Sequence, residues 1–149
     1  MRIMPADEFE IIARYFAPLA TKEGARGLND DAAVIAARGD LVVTTDAIVE
    51  GVHFLASDPI DTVAKKALRV NLSDLAAKGA RPIGVLVTLI WPDDREAEKI
   101  ERFARGLGED LKFFNVSLLG GDTTSTRGPL VVSVTAIGEP AGQRTPSRA

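Results

Sequence analysis

The run "PIGVLVTLIWP", Pro82 to Pro92, constrains this chain more than any other stretch. It is apolar almost without interruption, so it reads as a central strand rather than as an edge or a loop. A segment with helical spacing stands on each side of it. From Ile60 to Ala77 the residues Val63, Ala64, Ala67, Leu68, Leu72, Leu75 and Ala76 follow the i, i+3, i+4 rule, and Gly79 closes the helix. Ala97, Ile100, Ala104, Leu107 and Leu111 form the stripe of a second helix, with Glu98–Arg102 and Glu101–Arg105 as pairs on its outer face.

Other elements fit around this unit. Asp7 to Phe16 places Phe9, Ile12, Ala13 and Phe16 at helical spacing, and Pro18 stops the run. "AAVIA" and "LVVTT" flank "ARGD" and predict a hairpin, while "VSLLGG" and "PLVVSVTAIG" predict two further strands. The order α, β, β, α, β, α, β, β implies an α+β domain, with helices layered on one face of a mixed sheet. Strands this apolar leave the other face in need of a cover, which a second subunit could supply.

A length of 149 residues suits one domain with its own core. The net charge of −3 argues against nucleic acid or an anionic membrane as the main partner. No apolar run reaches the roughly 18 residues a spanning helix needs, and the N-terminus lacks the apolar core of a signal peptide. The absence of cysteine excludes disulfides, thiolate catalysis and zinc ribbons, and fits a reducing cytoplasm. The tail "GEPAGQRTPSRA" is polar and rich in Pro and Gly, so residues 1–138 are expected to form the domain and 139–149 a linker cut short.

Several polar residues break the ordinary pattern. Asp30 and Asp31 stand just before an apolar run, where a turn is the simplest account. "VVTTDA" ends a strand with Thr44, Thr45 and Asp46. Asn71 falls inside the apolar stripe of its helix and Asp74 at its edge, so Asn71 is either a satisfied buried amide or part of a ligand shell. In "LLGGDTTSTRG" an apolar strand meets Gly120 and Gly121 and then Asp122. Paired glycines suit a hairpin turn or a backbone passing close to a bulky anion. Asp31, Asp46, Asp74 and Asp122 each lie at the end or edge of an element. If they converge they must protonate or bind a cation, and all-oxygen donors favour Mg²⁺ bridged to substrate phosphates. His53, the only histidine, ends "TTDAIVEGVHF"; a lone histidine near a strand is more often structural than functional. No P-loop, dinucleotide fingerprint or nucleophile elbow is present.

"NDDAAV", "TTDAIVEGVHF", "ALRVNLSDLAAKGARP" and "LLGGDTT", in this order and spacing, resemble the thiamine-monophosphate kinases. The first and last motifs are shared with the wider aminoimidazole-ribonucleotide-synthetase-like superfamily. The resemblance implies ATP-dependent phosphorylation of thiamine monophosphate to thiamine diphosphate with Mg²⁺. It also implies a homodimer in which two such sheets pair into a barrel, and a C-terminal domain beyond this one. Carried onto these residues, it makes Asp31, Thr45, Asp46, Asp74 and Asp122 metal ligands with Thr44 beside them. Gly121, Asp122 and Arg148 become nucleotide contacts, and His53 a contact to the acceptor substrate. No residue is implied as catalytic beyond the metal ligands.

Asn29 departs from the family's usual glycine, in a turn asparagine tolerates nearly as well. By itself this stretch is expected to dimerise without turnover. The alternatives are another ATP-dependent member of the superfamily, or a non-catalytic dimerisation module whose aspartates only cap turns.

Overall fold

The computed structural model describes residues 8–94, 96–142 and 145–147. Strands β1 (Val42–Val49), β2 (Ala80–Pro92), β3 (Ser117–Thr126) and β4 (Val131–Pro140) form one sheet in the order β1-β4-β2-β3. The β2–β3 pair is parallel and the other two pairs are antiparallel, so the sheet is mixed. Parallel neighbours need a crossover, and here helix α3 (Ala97–Phe113) supplies it. Helix α2 (Ile60–Ala77) connects β1 to β2. Both helices cover the same face of the sheet, and β2 has a neighbour on each side, as its apolar run predicts.

The helix-covered face is the core. Val85, Val87, Leu89 and Trp91 of β2 alternate inward with Val132, Val134 and Ala136 of β4, all buried. They meet Val63, Ala64, Ala67, Leu68, Leu72 and Leu75 of α2 and Ile100, Phe103, Leu107 and Leu111 of α3. Phe103 lies edge-on to Trp91, with ring centroids 5.9 Å apart. A Cβ on Gly106 of α3 would sit 2.4 Å from the Asp61 carbonyl oxygen, so the two helices touch backbone to backbone there. Three ion pairs line that seam: Lys65–Glu109 at 2.6 Å, Arg69–Asp110 at 2.6 Å and Arg102–Asp61 at 3.0 Å. Arg102 therefore reaches across to α2 rather than along its own helix to Glu98.

Two expectations fail locally. Helix α1 (Glu8–Ile11) continues as a π-helical turn over Ile12–Phe16. The wider turn puts Ile11 and Phe16, five residues apart, into the core and leaves Phe9 77% exposed, contrary to a regular stripe. Asp7 lies outside the described residues. The "AAVIA" segment forms no strand: residues 33–37 are irregular, and Val34 donates its N–H to the Gly24 carbonyl (2.9 Å) instead of pairing with β1. Four of the six residues 32–37 are alanine, which has little strand preference.

Candidate functional site

The sequence-predicted residues fall into two sets on opposite faces of the sheet. The first lies on the uncovered face. Asp31, Gly121, Asp122 and Thr135 line a cavity of about 560 Å³ between the 30–35 segment and strands β2 and β3. Thr45 adjoins it, its hydroxyl donating to the Val134 carbonyl (3.2 Å) and accepting from Thr135 Oγ1 (3.0 Å). Apolar side chains, among them Phe16, Leu28 and Leu118, close one end of the cavity.

Gly121 makes no hairpin turn. Strand β3 runs straight through it, beside an irregularity in the β2 register between Val85 and Leu86. Its φ is +148°, and a Cβ would lie 1.8 Å from the Val87 carbonyl oxygen. Only glycine fits this close approach. The turn that was one reading of the glycines is thus replaced by strand, and Asp122 is held in register opposite Thr88.

The approach to the cavity is bent sharply. Arg26, Gly27 and Leu28 have φ of 48°, 62° and 60°, a left-handed run that turns the chain into Asp30 and Asp31. The Asp31 N–H (2.9 Å) and the Arg26 guanidinium hold the Asp30 carboxyl below its ordinary range. Asp30 is thereby engaged, whereas Asp31 carries no ion pair among the described residues.

The second set lies on the helix side, where β1 meets α2. Asp46 stands opposite Val134 and Thr44 opposite Ala136, both fully buried neighbours beneath the helices. Thr44 Oγ1 donates to Asp74 Oδ2 at 3.3 Å. Asp46 and Asp74 line a shallow pocket of about 660 Å³ together with Lys65, Lys66, Arg69 and Ser73. Asn71, one turn before, is fully buried; its amide donates to the Ala67 carbonyl (3.0 Å) while its Oδ1 has no partner among the described residues. It is half satisfied, by its own helix. Among the described residues no group of three or more His, Asp or Glu side chains converges, so the four aspartates do not meet within this chain. None of the four has a basic partner among the described ion pairs, in contrast to Asp30, Asp61 and Asp110.

His53 closes a tight turn after β1. Its N–H donates to the Val49 carbonyl (2.8 Å), and its Nδ1 accepts the Val49 N–H (3.0 Å). Val49 is the last residue of β1, an edge strand, so the imidazole caps an edge amide that would otherwise face water. Nδ1 is therefore an acceptor, and in the neutral ring the proton sits on Nε2. Lys66 of α2 donates its Nζ to the His53 carbonyl. The sequence reading missed Lys66; the available signal was its position on the same helical stripe as Val70 and Asp74. Arg148 lies outside the described residues.

The chain belongs to the AIR synthase related protein family: the model of that family's N-terminal domain matches residues 29–139. Among its relatives, the thiamine-monophosphate kinase of Caulobacter vibrioides is 53% identical over 137 residues, 90% of this chain and 39% of that protein. A solved structure of AaThiL complexed with AMPPCP and TMP is 34% identical, with a TM-score of 0.65 over 93% of this chain and 43% of that one. The hydrogenase maturation protein HypE in complex with ATP superposes with a TM-score of 0.79 over 93% of this chain and 42% of that one, and at 24% identity shares the fold alone. This chain thus spans about two fifths of the length of the relatives it matches (39% and 41%). No helix among the described residues is long and apolar enough to cross a membrane.

Proposed function

We infer that this chain is the nucleotide- and metal-binding part of a thiamine-monophosphate kinase, which transfers the ATP γ-phosphoryl group to thiamine monophosphate and yields ADP and thiamine diphosphate. The observation that carries this reading is the 53% identity to the Caulobacter enzyme across nearly the whole chain. The ATP and Mg²⁺ domain runs to Pro140, where β4 ends, two residues past the boundary expected at 138, and the residues after it begin a linker, in a cytoplasmic protein.

Two anions must approach each other in this reaction, so charge neutralisation is the main task. The donor sets suit a hard cation: carboxylates and hydroxyls, with the four aspartates free of basic partners among the described residues. Asp46 and Asp74, with Thr44, would hold Mg²⁺ on the helix side, and Asp31 and Asp122, with Thr45, on the uncovered side. Bound there, Mg²⁺ neutralises the phosphates and orients them for in-line displacement. Gly121, with no side chain in the way, lets the backbone approach the nucleotide phosphates beside Asp122, and Arg148 adds a contact to ATP. His53 presents Nε2–H to the acceptor substrate. A second copy of the chain covers the uncovered sheet face and closes a barrel.

Full-length protein offered ATP with thiamine monophosphate, formylglycinamidine ribonucleotide or selenide should consume ATP with the first alone. Asp74→Asn is expected to lower kcat by about 10³-fold with an unchanged far-UV spectrum. Ordinary turnover by that variant would overturn the assignment.

A further inference from the structure

We propose that Asn71 is a positioning residue for the cation of Asp46 and Asp74: its Oδ1 accepts a hydrogen bond from a water molecule that the ion carries. The observation is a carbonyl oxygen with no donor to meet it. Asn71 is wholly buried in the stripe of α2, among Ala64, Ala67, Leu68 and Leu75. Its Nδ2 donates to the Ala67 carbonyl (3.0 Å), and its Oδ1 has no partner among the described residues. Turning the amide over would set Oδ1 against that carbonyl, acceptor on acceptor, so Oδ1 is the end left open. A buried acceptor without a donor lowers stability, and the packing of an apolar stripe does not ask for one. Leucine has nearly the same shape and would leave no polar atom to satisfy.

The position of the residue says what the donor is. Asp74 follows Asn71 by three positions, so the two are neighbours on the helix surface, with Cβ atoms about 5–6 Å apart. Val70 and Asp74, on either side of Asn71 in the chain, both line the pocket that contains Asp46. The protein's own donors there are engaged. The Thr44 hydroxyl donates to Asp74 at 3.3 Å, and Lys65, Lys66 and Arg69 are bound to Glu109, the His53 carbonyl and Asp110. Ser73, two positions on, faces another side of the helix. The missing donor therefore arrives with a ligand, and Asp46 and Asp74, without basic partners among the described residues, select a cation. Mg²⁺ held by few carboxylates keeps several waters, whose O–H groups point away from the ion. One of them on Oδ1 completes the amide and fixes the orientation of the ion's shell. This rests on the reading of Thr44, Asp46 and Asp74 as a Mg²⁺ set, and it concerns the ion alone.

The test is calorimetric titration of Mg²⁺ into full-length protein, with urea melts in EDTA, for wild type, Asp46→Asn, Asn71→Leu and Asn71→Asp. Asp46→Asn identifies the Mg²⁺ step that belongs to this pocket. Asn71→Leu should weaken that step about 10- to 100-fold, while its midpoint in EDTA stays at the wild-type value or rises above it. Asn71→Asp returns an acceptor, so it should melt earlier than wild type in EDTA and bind Mg²⁺ at least as tightly. An unchanged Mg²⁺ step in Asn71→Leu would make the amide a structural residue only and overturn the proposal. Weakening joined to a lower midpoint in EDTA would be damage to the helix, and would overturn it too. If Asn71→Leu does not fold, the Mg²⁺ step of Asn71→Ala decides in the same way. If Asp46→Asn binds Mg²⁺ as wild type does, or wild type binds none, the metal reading of the pocket itself falls and takes the proposal with it.

Discussion

The two faces of the sheet differ in what holds them. On the helix-covered face, Val85, Val87, Leu89, Val132, Val134 and Ala136 are nearly or fully buried, and α2 and α3 are stapled over them by ion pairs. On the other face Val43 is 58% exposed, and Thr45, Thr88 and Thr135 stand beside a cavity that contains carboxylates. Stability resides on the first face. The second carries the oxygen donors Thr88, Asp122 and Thr135 beside its cavity, with Thr45 adjoining them.

This contrast can be broken in order of effect. Phe103→Ala empties the centre of the covered face and should cost about 3–5 kcal/mol, read from urea denaturation. Arg69→Met strands the Asp110 carboxyl, whose side chain is 5% exposed. Because the arginine is itself half in water, the cost should fall below that of Phe103→Ala and below that of a fully buried pair. Val43→Lys on the other face should change unfolding free energy by less than about 0.5 kcal/mol and, on the proposed pairing of two copies through that face, shift sedimentation towards monomer. An equal loss of stability from Val43→Lys and Phe103→Ala would erase the distinction between the faces.

The smallest effect is acid sensitivity at the helix seam. Asp61 is held below its ordinary value of 3.8, first by its own backbone N–H and then by Arg102. A depressed carboxyl contributes stability that is present above the unfolded value and lost as pH falls through the folded one. Wild type should therefore lose more stability than Asp61→Asn between about pH 4 and pH 2, measured by denaturant melts at each pH.

The covered face was legible in the sequence because it obeys a single rule. The stripe of α2 reads correctly from Val63 to Leu75, and β2 reads as the central strand. Phe9 was misread because a π-turn changes the period within α1, and no single residue announces that. The "AAVIA" run was misread because strand formation at an edge depends on a neighbour, which local preference does not contain. The candidate site was legible as residue types but not as geometry. Alternation places Thr44 and Asp46 on one face and Thr45 on the other, which the spacing states plainly. What the sequence could not state is that Asp74 joins the first face and Asp122 the second. Nor could it show that His53 spends one ring nitrogen on a strand edge, since that bond depends on the turn's closure.

The strand order has a consequence for how the molecule assembles as it is made. β4 lies between β1 and β2, yet it comes after both of them and β3 in sequence. At about 5–20 residues per second, roughly 5–20 s separate the synthesis of β1 from that of its partner. Throughout that interval β1 has no strand to join, and β2 can pair only with β3. The β2–α3–β3 unit, whose contacts are nearer in sequence, is thus the piece able to form first, and β4 then threads an open slot between two strands made before it. A chain halted on the ribosome before Val131 would expose two hungry strand edges at once, which makes this stretch the point at which nascent copies are most exposed to pairing with one another.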